Sequence, residues 1–203
     1  MASGTKRYSY LGPVGTFTWE ALGQVLAAKD QEWSSVHNVG EALEDVLSGR
    51  SDFAMIAIEN SIEGGVSATQ DALAASPELR IVGEYMVPVR FVLAVKPGST
   101  LNSVTTVAAH AVAYAQCRGW LEKNLPQHSH VPARSNVHAA QTIIEDGVAD
   151  AAIAPPGITQ HAGVEVVAEN IGDNPDAQTR FVLVQKGGTP PARTGEAKTS
   201  LTA

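Results

Sequence analysis

The chain has 203 residues, 44% of them hydrophobic and 17% charged, with a formal charge of −7. That length supports one large domain or two smaller lobes, and no apolar run is long enough to cross a membrane. The acidic balance, with no basic stripe to offset it, argues against nucleic acid as a partner, and the single cysteine, Cys117, excludes an internal disulfide framework and fits a reducing cytoplasm.

Residues 1–6 lack the apolar stretch of a secretory signal. Tyr8 to Leu11 then predicts a strand, closed by a Gly12-Pro13-Val14-Gly15 turn, and Phe17, Ala21, Val25 and Ala28 follow at helical spacing. Ala42, Leu43, Val46 and Leu47 mark one face of a second helix that stops at Gly49. Phe53 to Ile58 is an unbroken apolar run, the signature of a buried strand, and Ser67 to Ala74 predicts a helix that closes before Pro77. Leu79 to Met86 and Val89 to Val95 read as two strands separated near Pro88. Beyond them the pattern repeats: a strand over Ser103 to Ala108, a helix from Ala111 to Asn124, and a strand over His128 to Pro132. A helix from Val137 to Glu145 and strands at Ala151 to Ala154, Val164 to Glu169 and Thr179 to Gln185 complete it. Such alternation predicts an α/β protein with mainly parallel sheets. The expected division is a first lobe from residues 1–88 and 179–186, a second from 89–178, and a flexible tail over 187–203, with a cleft between the lobes.

Several polar clusters lie at predicted strand ends. In Gly12-Pro13-Val14-Gly15-Thr16-Phe17-Thr18 a threonine can cap the next helix, and that helix end can also attract an anion. The spacing is neither a phosphate-binding Walker loop nor a dinucleotide fingerprint. Glu59 follows the buried run directly, so partial desolvation would raise its pKa and suit it to donate a proton. Asn60 and Ser61 offer hydrogen bonds, and Gly64 and Gly65 allow close backbone approach. The plainer reading of this cluster is a strand end with solvated glutamates. His110 and Gln116 flank the start of a helix, where a hydrogen-bonded structural histidine is the default. Ser135 and Asn136 precede another helix as cap, anion contact or both. Cys117, beside Tyr114 and Leu121, reads as a core thiol rather than a nucleophile. No histidines take metal-ligand spacing, so no metal is expected. Finally, Thr179-Arg180-Phe181 brings a hydroxyl and a guanidinium to the mouth of a buried strand. The hydroxyl can hydrogen-bond a leaving oxygen if water is excluded, and Arg180 can pair with a carboxylate, that of a substrate or of Glu59.

Taken in order, Gly12-Pro13-x-Gly15-Thr16-Phe17-Thr18, Ile58-Glu59-Asn60-Ser61-Ile62-Glu63-Gly64, His110 with Gln116-Cys117, and Asp173-Asn174 through Thr179-Arg180-Phe181 resemble the catalytic domain of prephenate dehydratase. The resemblance runs from about Tyr8 to Gln185. It implies two α/β lobes like those of type II periplasmic binding proteins, and a cytoplasmic lyase of phenylalanine biosynthesis that works as a homodimer. That enzyme turns prephenate into phenylpyruvate, water and carbon dioxide without a cofactor. Carried over by position, it implies that Thr179 is the key catalytic hydroxyl, with Glu59, Asn60, Gln116, Arg180 and Phe181 around it. Thr16, Ser61, Gly64, Gly65, His110, Ser135 and Asn136 are then the expected substrate contacts.

Three departures from the family pattern stand out. Ala109-His110-Ala111-Val112 replaces a common Ser-His-Pro-Gln, and Asp176-Ala177-Gln178 replaces an amide-rich lead-in. Many relatives also continue into a phenylalanine-binding ACT domain where this chain has residues 187–203, so the expectation is a catalytic domain without it. Three other activities fit the same clusters: dehydration of arogenate, non-aromatising decarboxylation of prephenate, or simple binding of a small anion. The intact Thr-Arg-Phe favours dehydration.

Overall fold

The structure, a computed structural model, describes residues 4–188. In chain order its regular elements are β1 (Arg7–Leu11), α1 (Phe17–Gly23), β2 (Glu32–Val36), α2 (Val39–Leu47), β3 (Phe53–Asn60), β4 (Gly64–Gly65), α3 (Ser67–Ala74) and β5 (Leu79–Pro88). There follow β6 (Val92–Val95), β7 (Thr106–Ala109), α4 (Ala111–Gln116), α5 (Arg118–Asn124), β8 (Ser129–Pro132), α6 (Asn136–Glu145), β9 (Ala151–Ala154), β10 (Glu165–Ala168) and β11 (Gln178–Lys186). The described chain divides into two compact units. The first holds residues 4–13, 18–87 and 178–188, and the second holds 14–17 and 88–177. The expected α/β class holds, with one sheet in each unit. All but the first two residues of the expected tail lie outside the described residues.

In the first unit the strand order is β2-β1-β3-β11-β5, with β4 paired to the end of β3. β1 runs parallel to β2 and β3, whereas β11 runs antiparallel to β3. Ala54, Ile56 and Ile58 of β3 and Val182 and Val184 of β11 pack with Ala42, Leu43 and Val46 of α2, the face marked by helical spacing. Tyr8 stacks on Phe53 with ring centroids 4.9 Å apart.

In the second unit the order is β10-β6-β9-β7-β8. β7 is parallel to β8 and β9, and β6 is antiparallel to β9 and β10. Both faces of this sheet are covered. Leu93, Val95, Val107 and Ile153 meet Ala113 of α4, Leu121 of α5 and Cys117 between the two helices. The alternate residues Val92, Ala94, Ala108 and Ala152 meet Val137, Ala140 and Ile143 of α6. Burial on both sides is why β6 and β9 read as continuous apolar runs.

The sheets are therefore mixed rather than mainly parallel, because β11 runs against β3 in the first and β6 runs against β9 and β10 in the second. Other differences have local causes. β2 has only Trp33 and Val36 as apolar residues and lies at a sheet edge, so it carries no alternating signal. The first helix stops at Gly23 and yields to a 3₁₀ turn over Leu26–Ala28. At its other end α1 begins at Phe17, so Thr18 lies inside it and does not cap it. The strand expected from Ser103 begins only at Thr106, after a 3₁₀ turn over Leu101–Ser103. The long helix expected from Ala111 breaks at Cys117 (φ −113°, ψ 7°). There the Asp173 carboxylate accepts hydrogen bonds from the amides of Gly119 (2.8 Å) and Trp120 (2.9 Å), capping α5 as a new helix.

Asp150 ties the start of β7 to the start of β9. One of its oxygens accepts from the amides of Thr105 and Thr106 (2.9 Å each) and from their hydroxyls (2.8 and 2.9 Å). These bonds, the Thr105 amide foremost, hold its carboxyl below the usual aspartate range against an opposing push from desolvation. A lowered folded pKa favours the folded state above the unfolded value of about 3.9, and that contribution fades as pH falls through the folded value. Asp150→Asn should therefore lower thermal stability at pH 7 while flattening its decline between pH 5 and 2 (about the range where an aspartate titrates); unchanged acid-range unfolding would contradict this.

Candidate active site

The site in the first unit rests on one irregularity. Phe181 faces Ala57, and Val182 faces Ile56, in ordinary antiparallel register. Toward the strand end the register shifts by one, so that Arg180 faces Glu59 and Thr179 faces Asn60. Ile58 is the extra residue, a β-bulge. Its side chain stays in the core while its carbonyl accepts from the Val66 amide at 2.9 Å. Without the bulge, Thr179 would stand opposite Glu59. With it, an amide faces Thr179 instead.

The direction of that contact is fixed. Asn60 Oδ1 accepts from the backbone amides of Ile62 (2.9 Å) and Glu63 (3.2 Å), which leaves its NH₂ pointing at the strand. Asn60 Nδ2 then donates to Thr179 Oγ1 at 2.8 Å. The threonine oxygen is thus an acceptor toward Asn60, and no described residue accepts the hydroxyl's own hydrogen. Thr179 is 7% exposed. A hydroxyl so placed can donate to an oxygen brought to it.

The surrounding expectations fare differently. Glu59 is half exposed and ion-paired with Arg180, so it is not the desolvated proton donor that the sequence suggests. Arg180 takes the protein carboxylate among its two expected partners, and Glu84 of β5 lies 3.9 Å from its other terminal nitrogen. Phe181, 2% exposed, is a core side chain that anchors β11. Ser61 prolongs the ladder: its amide donates to the Gln178 carbonyl, and its Oγ accepts from the Gln178 amide, both at 2.9 Å. Gly64, at φ +83°, turns the chain back so that Gly64 and Gly65 pair with Asn60 and Glu59. Gly65 lies close against the Gln70 side-chain amide, which would have to shift to admit a β-carbon.

The remaining expected residues belong to the second unit. His110 caps α4 through Nδ1, which accepts from the Val112 amide at 3.3 Å, and its own amide donates to Asn136 Oδ1 at 3.2 Å. Ser135 caps α6 by accepting from the His138 amide at 3.0 Å. His110 and Ser135 thus take the structural roles that their positions suggested, whereas Asn136 caps nothing and instead bonds the His110 amide. Gln116 ends α4 half-buried, and its carbonyl accepts from the Asp173 amide at 2.7 Å. Its side-chain amide makes no hydrogen bond to another described residue. Thr16 is half-buried at the start of α1. Beside it Gly15 adopts φ +87°, and a β-carbon there would stand 3.3 Å from His161.

Glu84 was not legible as part of a site, being one polar residue within Gly83-Glu84-Tyr85-Met86 of a strand. Asp173 lies in a stretch that the sequence marks, but its capping of α5 carries no local signal. Among the described residues, no three His, Cys, Asp or Glu side chains gather as a metal site, and no helix is long and apolar enough to cross a membrane. Burial pushes the Cys117 thiol well up, with a smaller push from Asp173, so it is a core thiol and not a nucleophile.

Residues 8–189 match the prephenate dehydratase family. Among curated proteins, the prephenate dehydratase of Mycolicibacterium vanbaalenii is 42% identical over 95% of this chain and 66% of its own length. That of Mycolicibacterium gilvum is 43% identical over 95% and 65%. The chain thus spans just under two thirds of the length of these relatives. Among solved structures, a prephenate dehydratase of Arthrobacter aurescens in complex with L-Phe superposes with a TM-score of 0.87 at 47% identity, covering 93% of this chain and 63% of that one. A structure described as a novel type of quorum-quenching acylase, GqqA, superposes at 0.79 with 26% identity, covering 94% and 67%. With a family match over nearly its whole described length and relatives above 40% identity, the chain belongs to the prephenate dehydratase family.

Proposed function

We propose that this chain is a lyase that converts prephenate to phenylpyruvate. One observation carries the reading: Asn60, its oxygen held by two backbone amides, donates to Thr179 and leaves the threonine hydrogen free for a leaving oxygen. Prephenate carries a ring hydroxyl and, opposite it, a ring carboxylate. Thr179 donates to the departing hydroxyl as its carbon–oxygen bond breaks. The carbon–carbon bond to the carboxylate breaks in concert, and its electron pair completes the aromatic ring. Carbon dioxide leaves, and one proton, given by the threonine hydroxyl and restored to it from solvent water, converts the departing hydroxide to water. Aromatisation supplies the driving force, so the protein has only to orient the substrate and assist one oxygen.

In this reading Asn60 is the orienting group, and Phe181 acts by packing. Gln116 is proposed as a substrate contact through its unpartnered amide. Thr16, Ser61, Gly64, Gly65, His110, Ser135 and Asn136 are proposed as substrate contacts. The reading brings with it a cytoplasmic homodimer acting in phenylalanine biosynthesis. The likeness to an acylase gives no second reading. Acyl transfer through an enzyme nucleophile needs an activating base, and among the described residues Thr179 is hydrogen-bonded by an amide donor, while Cys117 is buried.

The test is formation of phenylpyruvate from prephenate, followed by ultraviolet absorbance. Thr179→Ala should lower kcat by about 10²- to 10⁴-fold while affinity for phenylpyruvate changes little. Asn60→Asp keeps the shape but puts an acceptor where Thr179 needs a donor, so a comparable fall in kcat is expected. Wild-type turnover in Thr179→Ala would overturn the mechanism, and no phenylpyruvate from the unaltered chain would overturn the activity. In that case arogenate is the next substrate to assay, then non-aromatising decarboxylation. Cys117 should remain unlabelled by a maleimide in the native protein and react on unfolding; native labelling that abolished turnover would reopen nucleophilic chemistry.

A further inference from the structure

Arg180 lies between two carboxylates from neighbouring strands of one sheet. One terminal nitrogen pairs with Glu59 on β3, and the other is 3.9 Å from Glu84 on β5, while Arg180 itself is on the intervening β11. Its single positive charge therefore faces two negative ones. The strand's alternation puts this trio on the face shared with Val182 and Val184, while Thr179 and its partner Asn60 lie on the opposite face. Both sets occupy the first two positions paired beyond the bulge at Ile58, where the regular ladder no longer dictates register. On the β3 side, the paired bonds between Ser61 and Gln178 secure this end. On the β5 side, Glu84 is the side chain that reaches Arg180.

We propose that Glu84 is a positioning residue for the reaction. With Glu59 it grips Arg180 from both neighbouring strands, and so holds the start of β11 with the Thr179 hydroxyl aimed at the leaving oxygen. Arg180 is then a strand clamp and not the receptor for a substrate carboxylate. This inference rests on the dehydratase reading of Thr179, and the experiment separates the two.

The variants are Glu84→Gln, Glu59→Gln, the double replacement and Arg180→Lys. The glutamines keep size and polarity but remove the charge that grips Arg180. The readouts are kcat and KM for prephenate, together with hydrogen–deuterium exchange resolved along β11. Glu84→Gln is expected to lower kcat about threefold to fivefold, the scale of a partly exposed ion pair. The double replacement should lower it about tenfold or more, and KM should stay within about twofold in both. Amides of residues 178–181 should exchange faster while those of 182–184 do not change. Arg180→Lys, which keeps the charge but loses the fork, should resemble the double replacement.

A lower KM in Glu84→Gln would show that Arg180, once released, binds a substrate carboxylate, and would overturn the clamp. Unchanged exchange at 178–181 would overturn it as well. If the unaltered chain makes no phenylpyruvate, the dehydratase reading falls, while the exchange comparison still decides whether Glu84 holds the strand.

Discussion

The pairing of β3 with β11, interrupted by one surplus residue, is the constraint on which the first unit depends. It joins Met55, Ile56 and Ala57 to Leu183, Val182 and Phe181 in the interior, then resets the register so that Asn60 meets Thr179. Core and site therefore belong to the same ladder. The interior part is held by apolar packing against α2, and the end part by polar contacts that would be costly to leave unmade. Ile58 mediates between them, with a side chain in the core and a carbonyl that anchors the chain leading into α3.

The polar end has a direction as well as a geometry. Two backbone amides can only donate, so Asn60 Oδ1 must accept, Nδ2 must donate, and Thr179 Oγ1 must accept in turn. Each step follows from the one before, and the threonine is left with one free role. Burial strengthens the arrangement, because a nearly enclosed hydroxyl meets little competition from water. A threonine elsewhere on the surface has the same functional group without the same commitment. What distinguishes Thr179 is the tight return through Gly64, which brings the Ile62 and Glu63 amides onto Asn60.

Much of this was legible in the sequence, for identifiable reasons. Runs buried on both faces, such as Ala151 to Ala154, announce themselves by continuity, and the α2 face does so by helical spacing. The edge strand around Trp33 has no such pattern, and the break at Cys117 depends on Asp173, more than fifty residues away in the chain. The ordered motifs located Thr179 and Asn60, and the choice of partner for Arg180 included the correct one. The status of Glu59 was not legible. A glutamate after six apolar residues suggests desolvation, but the bulge turns it toward Arg180 and solvent, and a bulge leaves no trace in hydropathy. Glu84 was invisible for a related reason, since its significance comes from a neighbouring strand almost a hundred residues later.

The strand order carries one more consequence. β11 lies between β3 and β5, yet it is made after every residue of the second unit. During synthesis the second unit, continuous from residue 88 to 177 apart from its short early segment, can fold as its chain emerges. The first unit cannot complete its sheet. Until β11 arrives, β3 and β5 each present an open edge with unpaired amides and carbonyls, the kind of edge that invites association between chains. The Thr179–Asn60 contact is therefore made at the end of assembly, so a chain able to form it has already closed the sheet that holds it.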